Sequence, residues 1–281
     1  MTDFKNKTAF ITGAANGIGL SLARKFHEAG ANVMMADING DAVKAAKDGL
    51  GGGDRLASVV CDVAKPEDVQ AAADATIAAF GKAHIVVNNA GVGLAGKPGN
   101  IPLIDWQWIV DINLMGVVYG VETFTPLIRS HGEGGHILNV ASMAGHMTMG
   151  GMAPYHATKF AVVGYSESLR QELAPENINV TALCPTWVKT NIYNAAANRP
   201  TAKDGSKTSA PDETATHLYN MTKGLVDGGM SPDRLADLCL KALSAKRAMI
   251  FNDPEARAAI EMRAQMLLAD YDACLDDLGM G

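Results

Sequence analysis

Thr12-Gly13-Ala14-Ala15-Asn16-Gly17-Ile18-Gly19 decides how this chain is read. The stretch follows directly on an apolar run at 8–12 and leads into a helical pattern at 17–29. Glycine tolerates positive φ, so the turn can bring backbone N–H groups against an anion at a helix start. The free N–H groups and the dipole of that helix start also favour negative charge. The spacing is Gly-x3-Gly-x-Gly rather than GxGxxG, and a glycine pattern alone says little. The strand–turn–helix context makes it a candidate pyrophosphate cradle, with a ligand-free glycine turn as the bland alternative.

Outward from the turn, short apolar runs alternate with longer helical patterns. The runs at 8–12, 32–36, 56–61, 84–88, 136–140, 179–183 and 248–251 are nearly all apolar, as buried parallel strands are. Helical patterns lie at 17–29, 41–47, 66–80, 105–129, 152–173, 232–246 and 254–275. The alternation predicts an α/β fold: a Rossmann-type, doubly wound, seven-stranded parallel sheet with helices on both faces. No linker divides residues 1–281, so one dinucleotide-binding and catalytic domain is expected. Segment 190–229 breaks the rhythm, with a short helical pattern at 213–226. So long an excursion reads as a substrate lid or as a surface insertion.

Composition excludes several classes. With 24 Lys and Arg against 30 Asp and Glu, the net charge is −6, and no basic face for nucleic acid is expected. Hydrophobic residues at 48% against 19% charged exclude global disorder. Cys61, Cys184, Cys239 and Cys274 form no CxxC pair, and the histidines have no ligand spacing. Neither a disulfide scaffold nor a metal site is therefore expected. The polar start has no signal-peptide pattern and no apolar stretch is long enough to span a bilayer, so a cytoplasmic protein without a membrane partner is expected.

Asp37 closes the second strand, eighteen residues after Gly19, where an acidic group meets adenosine ribose hydroxyls. Its carboxylate would accept from both hydroxyls of NAD. It would repel the 2′-phosphate of NADP, since unit charges ~4 Å apart cost about 4 kcal/mol at an effective dielectric of ~20. Neither Asn16 nor Ile38 is basic, so NAD is the expected cofactor. A solvated strand-end Asp is the alternative.

Tyr155-His156-Ala157-Thr158-Lys159 opens a helix, with Pro154 suited to its first turn. Tyr155 and Lys159, four apart, share one face. An ammonium beside a phenol should lower the phenol pKa from about 10, making a proton exchanger for an alcohol near neutral pH. On its own YxxxK is common and is otherwise a surface pair. Ser142, thirteen residues earlier, is read as ending the fifth strand, and ligands bind at the strand ends of such sheets.

With these residues on the page, the chain resembles the short-chain dehydrogenase/reductase family from Lys7 to about Pro185. Thr12–Gly19 matches TGxxxGxG, and the loop's Gly13, Asn16, Gly17, Ile18 and Gly19 are implied cofactor contacts. Asp62 and Val63 match the pair at the adenine ring; Asn88-Asn89-Ala90-Gly91 matches NNAG, of which Asn89, Ala90 and Gly91 flank the cofactor. Asn113, Ser142, Tyr155 and Lys159 match the catalytic tetrad. The resemblance implies that Tyr155 takes the hydroxyl proton and Ser142 hydrogen-bonds the substrate oxygen. It implies that Lys159 lowers the Tyr155 pKa and binds the nicotinamide ribose, and that the Asn113 backbone holds a relay water. Pro185, Val188 and Thr190 are the implied contacts after the sixth strand. Thr186 stands where glycine is usual and Ala141 where many members have a second serine; neither departure removes a catalytic group.

Between Ser142 and Tyr155 stand Met143, Met147, Met149 and Met152. Thioethers adapt to aromatic rings and equally fill cores. Met143, His146, Met147 and Met149, with Tyr193 from the long segment, are the expected substrate contacts. The chain is also similar to bacterial Cα-dehydrogenases, which implies a bulky benzylic alcohol of a lignin-derived β-aryl ether, or its ketone, as the small-molecule partner. The alternatives are a steroid or alkyl carbinol, or a non-catalytic NAD-binding protein, against which the complete tetrad argues. Apolar residues on more than one face of helices 105–129 and 152–173 predict a homodimer or homotetramer.

Overall fold

Each apolar run becomes a strand of one all-parallel sheet in a computed structural model that describes residues 3–192, 199 and 213–280. The strands are β1 (Thr8–Thr12), β2 (Asn32–Asp37), β3 (Leu56–Val60), β4 (Ile85–Asn88), β5 (Gly135–Val140), β6 (Ile178–Cys184) and β7 (Met249–Phe251). Their order is β3-β2-β1-β4-β5-β6-β7. Every residue of β1, β4 and β5 is buried, because helices cover both faces. Winding reverses between β1 and β4, so the loops beyond these two strands diverge and leave a crevice at their C-terminal ends.

The helices are α1 (Gly17–Glu28), α2 (Gly40–Gly49), α3 (Pro66–Phe80), α4 (Leu103–Val110), α5 (Gly116–Ser130), α6 (Ala153–Leu173), α7 (Glu213–Asp227), α8 (Pro232–Ser244) and α9 (Ala256–Asp277). Successive strand residues point to opposite faces, and the core divides accordingly. Ile11 and Leu138 pack with Leu22 and Phe26 of α1 and Leu235 of α8. Phe10 and Ile137 pack on the other face with Val69 of α3, Phe124 of α5 and Val162 of α6, the rings of Phe10 and Phe124 stacking at 4.3 Å.

Two expectations need correction. The single helix expected at 105–129 is interrupted by a π turn, Asp111–Met115, where the Gly116 N–H reaches back to the Asp111 carbonyl. One extra residue in a helix leaves the 3.6-residue pattern on either side intact, so periodicity does not reveal it. Ser142 lies two residues beyond β5, not at its end, and caps a 3₁₀ turn, Met143–Gly145, by accepting from the Ala144 N–H at 3.1 Å. Tyr193 and the rest of 193–198 and 200–212, nearly half of the long segment, lie outside the described residues; the helical pattern at 213–226 is α7. Among the described residues no helix is long and apolar enough to cross a membrane.

Candidate active site

The crevice is a cleft of about 1730 Å³ along the C-terminal ends of the strands. One end is built on the glycine turn. Gly13 and Gly17 have φ of 62° and 55°, and a Cβ on Gly19 would come within 2.2 Å of the Gly13 carbonyl oxygen, so only glycine lets α1 start this close to the turn. Asn16 makes no side-chain cap and no acid stands in the first turn, so the N–H groups at the start of α1 keep their capacity for an anion. Asp37 braces the turn, accepting from Ala15 N–H at 3.1 Å and Asn39 N–H at 3.0 Å. Its remaining lone pairs serve the cleft it lines. The side-chain amide of Asn89 donates to the carbonyls of Thr12 and Gly13, joining the end of β4 to the turn.

Asp62, Val63, Ala90, Gly91, Ile18, Pro185, Val188 and Thr190 all line the same cleft. Gly19 and Asn113 do not; Gly19 acts through packing. Asn113 is fully buried in the π turn, where its amide accepts from Val92 N–H at 2.8 Å and donates to Val92 O at 2.9 Å. Its side chain is thus committed to the structure, and only its backbone is left for another partner.

At the other end stand Ser142, Tyr155 and Lys159. Lys159 is buried, its Nζ donates to the Val140 carbonyl at 2.9 Å and lies 5.7 Å from the Tyr155 ring centre, and burial pushes its pKa down to about 8. Tyr155 departs from the sequence expectation. Burial pushes its phenol above the ordinary value, and the hydrogen bond with Ser142, rather than the ammonium, works against that rise.

The methionines Met143, Met147, Met149 and Met152 line the cleft, but His146 does not. Its ring turns away to the Cys184 thiol at 3.3 Å and to the Phe251 ring at 5.3 Å between centres. The histidine that shapes this wall is His156, one residue past Tyr155. Met149 N–H donates to its Nε2 at 3.1 Å, so Nδ1 carries the proton and donates to Ala144 O at 3.0 Å. Loop position in a sequence does not say which ring faces inward.

Other parts of the site carried no sequence signal. Trp108 lines the cleft from α4. Arg199 lines it too and forms an ion pair with Asp105, which is fully buried, so the pair adds no net charge to this wall. The unusual Thr186 is held by Asn252, whose Oδ1 accepts from Thr186 N–H at 2.8 Å and from its hydroxyl at 3.3 Å.

A separate cluster, His84, His131 and Glu133, has its ligand atoms within 4.8 Å of one another. Each ring nitrogen is already engaged: His84 with Thr8 N–H and Glu133, His131 with Ala83 O and Glu133 N–H. Lys7 and Lys82 also bind Glu133, so the cluster is a hydrogen-bonded ion network.

Comparisons with known proteins agree with this geometry. Residues 7–200 match the family model described as short chain dehydrogenase. A "CLA biosynthesis dehydrogenase/reductase" of Lactiplantibacillus plantarum is 34% identical over 275 residues, covering 96% of each chain. A "C alpha-dehydrogenase" of Sphingobium sp. (strain NBRC 103272 / SYK-6) is 33% identical over 270 residues, covering 95% of this chain and 87% of its own. A short-chain dehydrogenase/reductase from Burkholderia phymatum, solved in complex with NAD, superposes with a TM-score of 0.91 at 32% identity, covering 96% of this chain and 97% of its own.

Proposed function

The chain belongs to the short-chain dehydrogenase family, and from that premise we propose that it oxidises a secondary alcohol to a ketone with NAD as a single catalytic domain. The convergence of Ser142, Tyr155 and Lys159 in one cleft with the glycine turn and Asp37 carries this reading. The residues fit the dinucleotide: the uncapped start of α1 for the pyrophosphate, Asp37 for the adenosine ribose, Asp62 and Val63 for the adenine, and Asn89 to Gly91, Pro185, Val188 and Thr190 toward the nicotinamide. When bound, the nicotinamide supplies the two-electron chemistry. The chain's own residues handle the proton and the charge. Tyr155 Oη accepts the hydroxyl proton as the carbonyl forms, and Ser142 Oγ donates to the oxygen on which charge develops. The hydrogen bond from Ser142 favours the anionic form of the phenol, Lys159 reaches toward the nicotinamide ribose, and the π turn sets the Asn113 backbone for a relay water.

The favoured substrate is a bulky benzylic alcohol of a lignin-derived β-aryl ether, with Met147, Met149 and Trp108 against its rings. Support comes from the Met-lined wall and the likeness to a C alpha-dehydrogenase. Another steroid or alkyl carbinol is the competing substrate. We place the enzyme in the cytoplasm as a homodimer or homotetramer paired through α5 and α6. The test is NADH formation from a panel of aryl-ether dimers, steroids and small secondary alcohols, with NAD and NADP compared. Turnover of the aryl-ether dimers with NAD supports the proposal. Preference for a steroid corrects the substrate alone, and no turnover of any alcohol refutes the enzyme.

A further inference from the structure

Beyond its root, α9 has nothing of its own chain to pack against among the described residues. From Glu261 to Met280 every residue except Leu275 is exposed. Only near the root is the helix tied down, where Ala256 is buried and Arg263 lies over the Phe160 ring at 5.0 Å. The projecting part is about 25 Å of helix at ~1.5 Å per residue. Met262, Met266, Leu267, Leu268, Tyr271 and Leu278 are each more than half exposed. Scattered apolar residues are ordinary on a surface, but a contiguous array on a bare helix marks an interaction site. A lone helix of this length is also marginal in water.

Helical periodicity sorts these side chains onto two opposite faces. Ala264, Leu267, Leu268, Tyr271, Leu275 and Leu278 fall on one, and Met262, Met266, Ala269 and Ala273 on the other. Charged residues separate them: Glu261 and Asp272 along one border, Arg263, Asp270 and Asp277 along the other. Charge is also divided along the axis. Arg257, Glu261 and Arg263 stand in the first half, with Arg257 paired to Glu261 at 2.7 Å, and Asp270, Asp272, Asp276 and Asp277 stand in the second.

We propose that α9 pairs antiparallel with α9 of a second copy of this chain through its Leu267/Tyr271 face, across a two-fold axis at the level of Ala269 along the helix. Such a contact must be complementary to itself, and this helix is: Arg257 is already paired with Glu261, and the remaining Arg263 of each copy comes level with the acidic end of the other, beside Asp276 and Asp277. The same register sets Leu267 against the second copy's Tyr271, Ile260 against Leu278, and the small Ala264 against Cys274. The paired face of each copy carries six large apolar side chains, Ile260, Leu267, Leu268, Tyr271, Leu275 and Leu278, at on the order of 100 Å² each, which is most of the ~800 Å² per partner of a standard interface. A lipid surface fits poorly, because helices that lie on membranes carry Lys and Arg on the polar side, and this one carries aspartates. The contact is distinct from any pairing through α5 and α6.

The test is molar mass by sedimentation velocity at micromolar concentration, for wild type and for Leu267→Asp/Tyr271→Asp. The double variant should lose one step of association, a twofold drop in mass, with NADH binding retained. A cross-link gives a second reading. Cys274 is exposed while Cys61, Cys184 and Cys239 are buried. Mild oxidation of Ala264→Cys should therefore give a disulfide-linked pair on a non-reducing gel, absent from Ala264→Cys/Cys274→Ser. A monomeric wild type, or an unchanged mass in the folded double variant, overturns the pairing. If circular dichroism shows the double variant unfolded, the cross-link decides alone, and its absence overturns the pairing.

Discussion

The Tyr155 hydroxyl has one chemical task, to exchange a proton with the substrate oxygen, and Tyr155→Phe removes that group while leaving the ring in place. We expect kcat to fall by about 10²–10⁴-fold with NADH affinity, read by fluorescence titration, nearly unchanged. A variant that keeps most of its kcat contradicts the role. Lys159→Ala should lower both turnover and cofactor affinity, because it removes a side chain packed 5.7 Å from the Tyr155 ring centre and, with it, the donor to the ribose. The methionine wall makes a second prediction. Losing a thioether–ring contact costs about 0.3–1.5 kcal/mol, up to roughly tenfold in kcat/KM. Met147→Ala and Met149→Ala should therefore lower the ratio of kcat/KM for an aryl-ether dimer over a small alcohol, and an unmoved ratio removes the aromatic-pocket reading. At this scale the sequence was a good guide to residues with a fixed spacing, such as Tyr155, Lys159 and Ser142. It was a poor guide to rings in loops. His146 and His156 both flank the methionine wall, yet only the fold shows that His146 turns to Cys184 while His156 ties Met149 to Ala144.

Among the elements, strands were the most legible, because a strand buried on both faces must be apolar throughout, and that leaves a run in the sequence. The break between α4 and α5 left none, since Asn113 departs from helical geometry to meet Val92, a partner twenty-one residues away. What aligns these elements is a buried chain of hydrogen bonds. Asn88 in β4 donates to Asn139 in β5 at 2.9 Å, Asn139 donates to Ser166 in α6 at 3.0 Å, and Ser166 donates to Val162 O at 2.7 Å. The chain thereby holds α6, and with it Tyr155 and Lys159, against the sheet. Gly120 in α5 makes room for it: a Cβ there would lie 2.0 Å from Asn88 Oδ1. Ala is worth about 1 kcal/mol more than Gly in a helix interior, but overpacking a core costs about 1–3 kcal/mol, and here it also displaces a buried amide. Gly120→Ala should therefore be destabilising on balance, seen as a lower urea midpoint. An unchanged or raised midpoint shows that Asn88 has room to move and that its placement is not a tight constraint.

Across the whole molecule, a sheet covered on both faces leaves polar side chains within the core, and these make stability depend on pH. His136 in β5 is 1% exposed, and its Nε2 lies 2.9 Å from Thr181 Oγ1. The Thr181 hydroxyl donates to the Arg247 carbonyl at 2.6 Å, so it accepts from the imidazole, and the ring is held neutral with its proton on Nε2. Burial, with the positive charges of Arg170 and Lys246 nearby, pushes the His136 pKa down to about 3 from the ordinary 6.5. Between those two values the unfolded chain binds a proton that the folded chain refuses. Stability therefore falls as pH falls through this window, by about 1.4 kcal/mol per pH unit, and is unaffected by this residue above about pH 7. Moving from pH 7.5 to 4.5 should cost on the order of 2–3 kcal/mol through His136 alone. Other groups titrate over the same range, including His84, whose pKa burial also lowers. The contribution of His136 is accordingly isolated as a difference in slope. His136→Gln keeps an amide donor for Thr181 and removes the titration, so urea unfolding of wild type and variant at several pH values should give lines that converge as the pH falls from 7 to 4.5. Parallel lines mean that acid reaches the core by another route, or that the imidazole is hydrated before the sheet opens.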